Sequence, residues 1–196
     1  MKRARDRGFT LLELLVTVAV AAVLLGIGVP SFIDTIRNSQ MAASANDLLA
    51  AMHLARTEAV KRRTPVTVCS SANALGVAPT CSAGSFNGWI VFADTDGDIA
   101  VDAAAVPPEV ILRAHGPLPE TITTLSDSSF VSFAGTGFRR DFGGNPSAGT
   151  IRLCDERGNV NAGGGISTAR VLQIAATGRP QILRTEADVT AAGDCP

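Results

Sequence analysis

One carboxylate sits where a chain of this kind should least tolerate it. Residues 9–29 form an apolar run in which Glu13 is the only charged side chain. At about 1.5 Å rise per residue, a helix of that length roughly spans a hydrocarbon core of ~30 Å. Lys2, Arg3, Arg5 and Arg7 against Asp6 give the preceding stretch a charge of +3. The positive-inside tendency holds such a stretch in the cytoplasm and turns the C-terminal bulk outward. An ordinary secretory signal ends in a small-x-small cleavage site, whereas this run passes through Gly26, Gly28 and Pro30 into an amphipathic pattern. The run therefore reads as retained.

The rest of the composition fits an exported protein. Hydrophobic residues make up 46% of the 196 and charged residues 18%, with the apolar excess concentrated at the N-terminus. The net charge is -1, so the chain without its +3 leader carries -4, which argues against a general nucleic-acid binder. Cys69, Cys81, Cys154 and Cys195 all follow the apolar run, in the part expected to reach an oxidising compartment, and two disulfides are expected. Three pairings are open. Cys69 with Cys81 and Cys154 with Cys195 is preferred, because it staples one loop and ties down the C-terminus. No C-x-x-C occurs, and His53 and His115 are remote from the cysteines in sequence, so a zinc site is not expected.

After Pro30, Phe32, Ile33, Ile36, Met41, Ala45, Leu48, Met52, Ala55 and Ala59 recur at three- and four-residue steps. They predict one helical apolar stripe opposite Asp34, Arg37, Gln40, Asn46, Asp47 and Glu58. The stripe should end at Lys61-Arg62-Arg63, before Thr64-Pro65 breaks the ladder. Run and stripe together predict one helix of about 50 residues, kinked or thinned near residues 26–30. Downstream, short apolar runs between Gly, Pro, Asn and Asp predict strands at 66–70, 89–93, 109–114, 121–125, 130–134, 150–154, 170–175 and 181–184. Residues 71–87 and 135–149 read as long mobile loops.

Gly8-Phe9-Thr10-Leu11-Leu12-Glu13-Leu14, behind a short basic leader and ahead of the apolar run, resembles the N-terminal signature of type IV pilins and pseudopilins. The resemblance implies that a prepilin peptidase cuts after Gly8 and methylates the new amine on Phe9. It implies too that Glu13 meets the terminal amine of a neighbouring subunit during assembly, which offsets the cost of a carboxylate in hydrocarbon. Lys61-Arg62-Arg63-Thr64-Pro65-Val66-Thr67-Val68-Cys69, Gly88-Trp89-Ile90-Val91-Phe92, Val110-Ile111-Leu112-Arg113 and Thr177-Gly178-Arg179 resemble the GspH/FimT family of minor pilins over nearly the whole chain.

That resemblance implies an α+β pilin fold, one long N-terminal helix on antiparallel sheets. Its expected parts are a leader at 1–8, a membrane and filament-core helix at 9–30, an amphipathic continuation at 31–64 and a periplasmic β domain at 65–196. The implied role is a minor subunit that primes or tips a type IV filament, anchored once in the bacterial inner membrane. Its implied partners are prepilin peptidase, other major and minor pilins and the inner-membrane assembly platform. Pro30 favours a pilus; the alternative is a pseudopilin of type II secretion. No cofactor is implied.

Some members of that family bind double-stranded DNA through a Gly-Arg-x-Arg element near the C-terminus. Here the stretch is Gly178-Arg179-Pro180-Gln181, without the second arginine. Arg184 lies five residues on, which along a strand puts it on the opposite face from Arg179. Arg170, with Arg139, Arg140, Arg152 and Arg157, is a further candidate for a basic patch, but Asp141, Asp155 and Glu156 stand beside them.

Asp94-Thr95-Asp96-Gly97-Asp98, with Asp102, resembles the start of an oxygen-ligand calcium loop. Ala105 holds the position where an EF-hand needs glutamate, and a strand precedes, so the preferred reading is an Asp-Gly hairpin turn with Asp94, Asp96 and Asp98 as the secondary, metal-binding one. Trp89 reads as core. Gly135-Thr136-Gly137 lacks a following Lys-Ser/Thr and reads as a turn. No set of nucleophile, base and orienting group is apparent, so no catalytic residue is expected.

Overall fold

The computed structural model describes residues 9–195, except for the side chains of residues 27–31. The leader at 1–8, including Gly8, lies outside the described residues. Helix α1 runs from Leu11–Arg62, without interruption by Gly26 or Pro30. Two compact units divide between residues 39 and 40.

The first unit is helical from Leu11 on. Leu11, Leu12, Leu14, Leu15, Val16, Val18, Val20, Val23, Leu24 and Leu25 are all more than half exposed. Phe32, Ile33 and Ile36, expected to begin the buried stripe, are exposed as well. Among the described residues no helix is long and apolar enough to cross a membrane.

The second unit opens with the rest of α1, which buries Met41, Ala45, Leu48, Ala51, Met52, Ala55 and Ala59. The helix ends where the cations and Thr64-Pro65 require it, and Arg63 leaves it in the left-handed region at φ 58. Two antiparallel sheets follow. The first orders its strands β3(Ile111–His115), β2(Trp89–Ala93), β1(Val66–Ser70), β5(Phe130–Phe133) and β6(Arg139–Arg140). The second orders β4(Thr123–Ser126), β7(Thr150–Cys154), β8(Ile166–Ile174) and β9(Pro180–Thr185).

Every residue of β1 and β2 is buried, because the alternation of side chains feeds two cores. Val66, Val68, Trp89 and Val91 join the helix stripe, together with Ile151, Leu153, Leu172 and Ile174 of the second sheet. Cys69, Ile90, Phe92 and Phe130 point to the other face, which Ile99, Val101 and Phe142 help to cover. Burying a side chain such as Leu48 contributes about 1.5–3 kcal/mol.

Several boundaries differ from expectation. The strand expected at 109–114 begins at Ile111, since Glu109 turns inward to bind loop amides. The strand expected at 121–125 begins at Thr123. The one expected at 170–175 extends back to Ile166 across a register shift, where polar Ser167 and Thr168 hide it from a hydrophobic pattern. The loop expected at 135–149 carries β6, held by two residue pairs with β5. A short helix α2(Glu186–Ala191) was not anticipated; the Thr at 185 caps it by accepting from the Asp188 amide, a spacing visible in the sequence. Disulfides join Cys69 to Cys81 and Cys154 to Cys195; the second fastens the chain end beside Val189 and Ala169.

Candidate functional site

Three sets of sequence candidates occupy three different settings. At the start of α1, Thr10 and Glu13 cap the helix reciprocally. The Thr10 amide and hydroxyl each donate to Glu13 Oε2 at 3.2 Å, and the Glu13 amide donates to Thr10 Oγ1 at 3.2 Å. This capping box satisfies otherwise orphaned amides and sets a carboxylate at the positive end of the helix dipole. Glu13 thus has a partner within its own chain. The Thr10-x-x-Glu13 spacing carries that signal in the sequence. Phe9 beside it is 82% exposed.

The arginines considered as a basic patch are largely engaged inside the second unit. Arg139 donates to the Ile174 carbonyl at 3.1 Å and Arg152 to the Asp194 carbonyl at 2.6 Å. Arg157 pairs with buried Asp155 at 2.6 Å. Arg170 donates to the carbonyls of Ser167, Ala169 and Thr168, closing the irregular start of β8. Burial, with the charges of Arg184 and Arg157, pulls the Arg170 guanidinium below its usual value. Arg170 and Arg184 line one cleft of about 310 Å³ with Asn46 and Ile182. Arg179 is exposed in the β8–β9 turn, beyond the opposite end of β9 from Arg184. The structure therefore brings Arg170 and Arg184 together and leaves Arg179 apart.

The turn that carries Arg179 has a packing role. Gly178 has φ +76, and a Cβ there would overlap the Gly137 carbonyl oxygen. Arg56 from α1 donates to the carbonyls of Gly137 at 3.1 Å and Thr177 at 3.2 Å. Helix, 134–138 turn and 175–179 turn are thus joined by one guanidinium, which sequence reasoning did not single out.

The acidic loop departs from its expected form. Residues 94–110 connect β2 to β3, so the aspartates do not form a tight Asp-Gly hairpin. One oxygen from each of Asp94, Asp96 and Glu109 lies within 4.8 Å of the others. Asp98 is outside that group; its Oδ1 accepts from the Ala100 amide at 2.8 Å. Glu109 takes its place, and no motif spacing from Asp94 points to it. Burial pushes the Asp94 carboxyl up, against a hydrogen bond from Thr67, and burial likewise raises Glu109.

Trp89 is fully buried and stacks on His115 at 4.0 Å. His115 faces Asp47 of α1 at 3.6 Å and the Gly116 carbonyl at 2.7 Å. These contacts tie helix to strand.

Two family models match the chain. The family model described as Type II transport protein GspH matches residues 44–178. The prokaryotic N-terminal methylation motif matches residues 3–29. The chain is similar to the type IV minor pilin FimU of Pseudomonas aeruginosa strain PAO1 in two crystal forms. In one, identity is 21% over 74% of this chain and 89% of that chain, with a TM-score of 0.46. In the other, identity is 20% over 72% and 91%, with a TM-score of 0.44. No curated protein matches.

Proposed function

The chain belongs to the GspH family of minor pilins and pseudopilins, and from that premise we propose that it primes or tips a type IV pilus. The observation that carries this reading is residues 11–26 of α1, apolar and exposed all round, with one carboxylate at the head. A helix apolar all round needs lipid or other such helices to cover it. Membrane storage followed by filament packing supplies both. Prepilin peptidase cuts after Gly8 and methylates Phe9; the subunit waits in the inner membrane with its β domain in the periplasm, on the assembly platform. In the filament, Glu13 exchanges its Thr10 contacts for a neighbour's terminal amine. The role is structural rather than catalytic.

Duplex DNA is the weakest of the partners considered. Neutralising several phosphates takes several free cations, whereas Arg139, Arg152, Arg157 and Arg170 are engaged internally.

Intact-mass measurement of the membrane-extracted protein tests the processing: the expected species begins at Phe9 and carries one methyl group, and any other N-terminus defeats the reading. Deletion tests the assignment, with lost piliation and normal exoprotein release expected. The type II name of the matching family favours a second reading, a secretion pseudopilin, for which the two phenotypes reverse.

A further inference from the structure

We propose that Asp94, Asp96 and Glu109 form a calcium site that pins the two ends of the β2–β3 connection together. Asp94 sits at the end of β2 with no exposed surface. Its Oδ2 accepts from the Thr67 hydroxyl at 2.7 Å, while Oδ1 is buried without a hydrogen bond of ordinary geometry; the Ile99 amide and the Arg140 guanidinium, whose Nη1 is likewise buried and unpartnered, both act on this carboxylate. A buried, unpartnered carboxylate oxygen is costly and calls for a ligand. The neighbouring carboxylates are already aimed. Glu109, also buried, accepts from the Thr95 amide at 2.7 Å through Oε1 and from the Asp102 amide at 3.0 Å through Oε2. Asp96 Oδ1 accepts from the Asp98 amide at 3.2 Å. Each carboxylate offers about four lone-pair positions, so these bonds fix its orientation and leave acceptor capacity toward the centre.

Charge and donor type select the ion. Arg140 is the cation that acts on Asp94; its Nη2 donates to the Gly97 carbonyl at 3.3 Å. Three carboxylates against one guanidinium leave an excess of two negative charges, which one divalent cation balances. All-carboxylate donors suit a hard cation. Magnesium dehydrates reluctantly and is usually held by one or two carboxylates with several waters, whereas calcium takes more, so three carboxylate oxygens within 4.8 Å of one another suit calcium. Waters complete the coordination on the exposed Asp96 side. The ion would brace a connection whose Ile99 and Val101 cover the outer face of the first sheet.

The test is calcium chloride titrated into the full-length protein in detergent micelles, with magnesium chloride as competitor, read by equilibrium dialysis and by thermal melting. One calcium per chain, bound saturably and raising the melting temperature, is expected. Asp96→Asn and Glu109→Gln should each weaken binding by about tenfold or more, and Asp98→Asn by less than about threefold. Asp96 is exposed, so Asp96→Asn decides the matter if Glu109→Gln fails to fold. The proposal is overturned by non-saturable uptake, by affinity unchanged in Asp96→Asn, by an Asp98→Asn loss as large as that of Asp96→Asn, or by equal affinity for magnesium.

Discussion

One helix serves two opposite purposes along its length. Over residues 11–26, and again at Phe32, Ile33 and Ile36, its large apolar side chains are exposed; from Met41 on, its apolar residues fall in a stripe and disappear beneath two sheets. Backbone geometry is the same in both stretches, so the difference lies in where the charges fall. The later stretch carries Asn46, Asp47, Arg56, Glu58 and Lys61 around its buried stripe, and such a helix completes its core within its own chain. Residues 11–26 have Glu13 alone among leucines and valines, and their burial must come from other molecules. Secondary structure says little about function here; the angular distribution of polarity says most of it.

The sharpest way to break that comparison is a pair of substitutions on the two stretches. Glu13→Ala should reduce incorporation into filaments by about tenfold or more, since loss of the charge pair leaves a neighbour's amine uncompensated in a low-dielectric setting. The melting temperature of the β domain should not move. Quantitative blotting of sheared filaments beside calorimetry reads both; wild-type incorporation would remove Glu13 from the assembly step. Leu48→Ala should do the reverse. Leu48 is fully buried between helix and sheets, and its truncation should destabilise the domain by about 4 kcal/mol in denaturant unfolding. Val20→Ala, on the exposed stretch, should leave unfolding unchanged.

These contrasts were legible in the sequence to different degrees. Met41, Ala45, Leu48, Met52, Ala55 and Ala59 announce their burial because helical periodicity is local. Phe32, Ile33 and Ile36 continue the same period yet stay exposed, because period alone does not say whether a partner surface exists. Strand positions followed from apolar runs bounded by turn formers, and failed at Ile166, where the buried residues Ser167 and Thr168 are polar. The capping pairs Thr10 with Glu13 and Thr185 with Asp188 were written in the spacing. Glu109 beside Asp94 was not: a contact across 15 positions depends on how a long connection folds back. Arg56 escaped for the same reason, since its acceptors are the carbonyls of Gly137 and Thr177.

The two disulfides extend the comparison into the domain that closes on itself. Cys154–Cys195 spans 41 residues and Cys69–Cys81 spans 12. In the chain-entropy account the longer loop gives the larger stabilisation, about 4 against roughly 3 kcal/mol. Paired serine substitutions should preserve that order in urea unfolding, and a larger loss from the shorter loop would mean that packing of residues 71–81, not chain entropy, dominates.

The smallest effect expected is also the one that isolates surface charge from core. Glu58 Oε2 accepts from Arg62 Nε at 2.7 Å and Oε1 from Lys61 Nζ at 3.2 Å, in the last turns of α1. Hydrogen bonds from Arg62 first, then Lys61, hold the Glu58 carboxyl below its ordinary 4.5. A carboxyl depressed in the folded state contributes stability above its unfolded value, and that contribution fades as pH falls through the folded one. Lys61 is 76% exposed, so solvent screening limits the gain to about a few tenths of a kcal/mol. Glu58→Gln should therefore lower stability slightly at neutral pH, and the gap to wild type should close under acid and shrink in high salt. A gap that persists unchanged in acid would mean that Glu58 works by packing, and that even the polar side of this stretch belongs to the core.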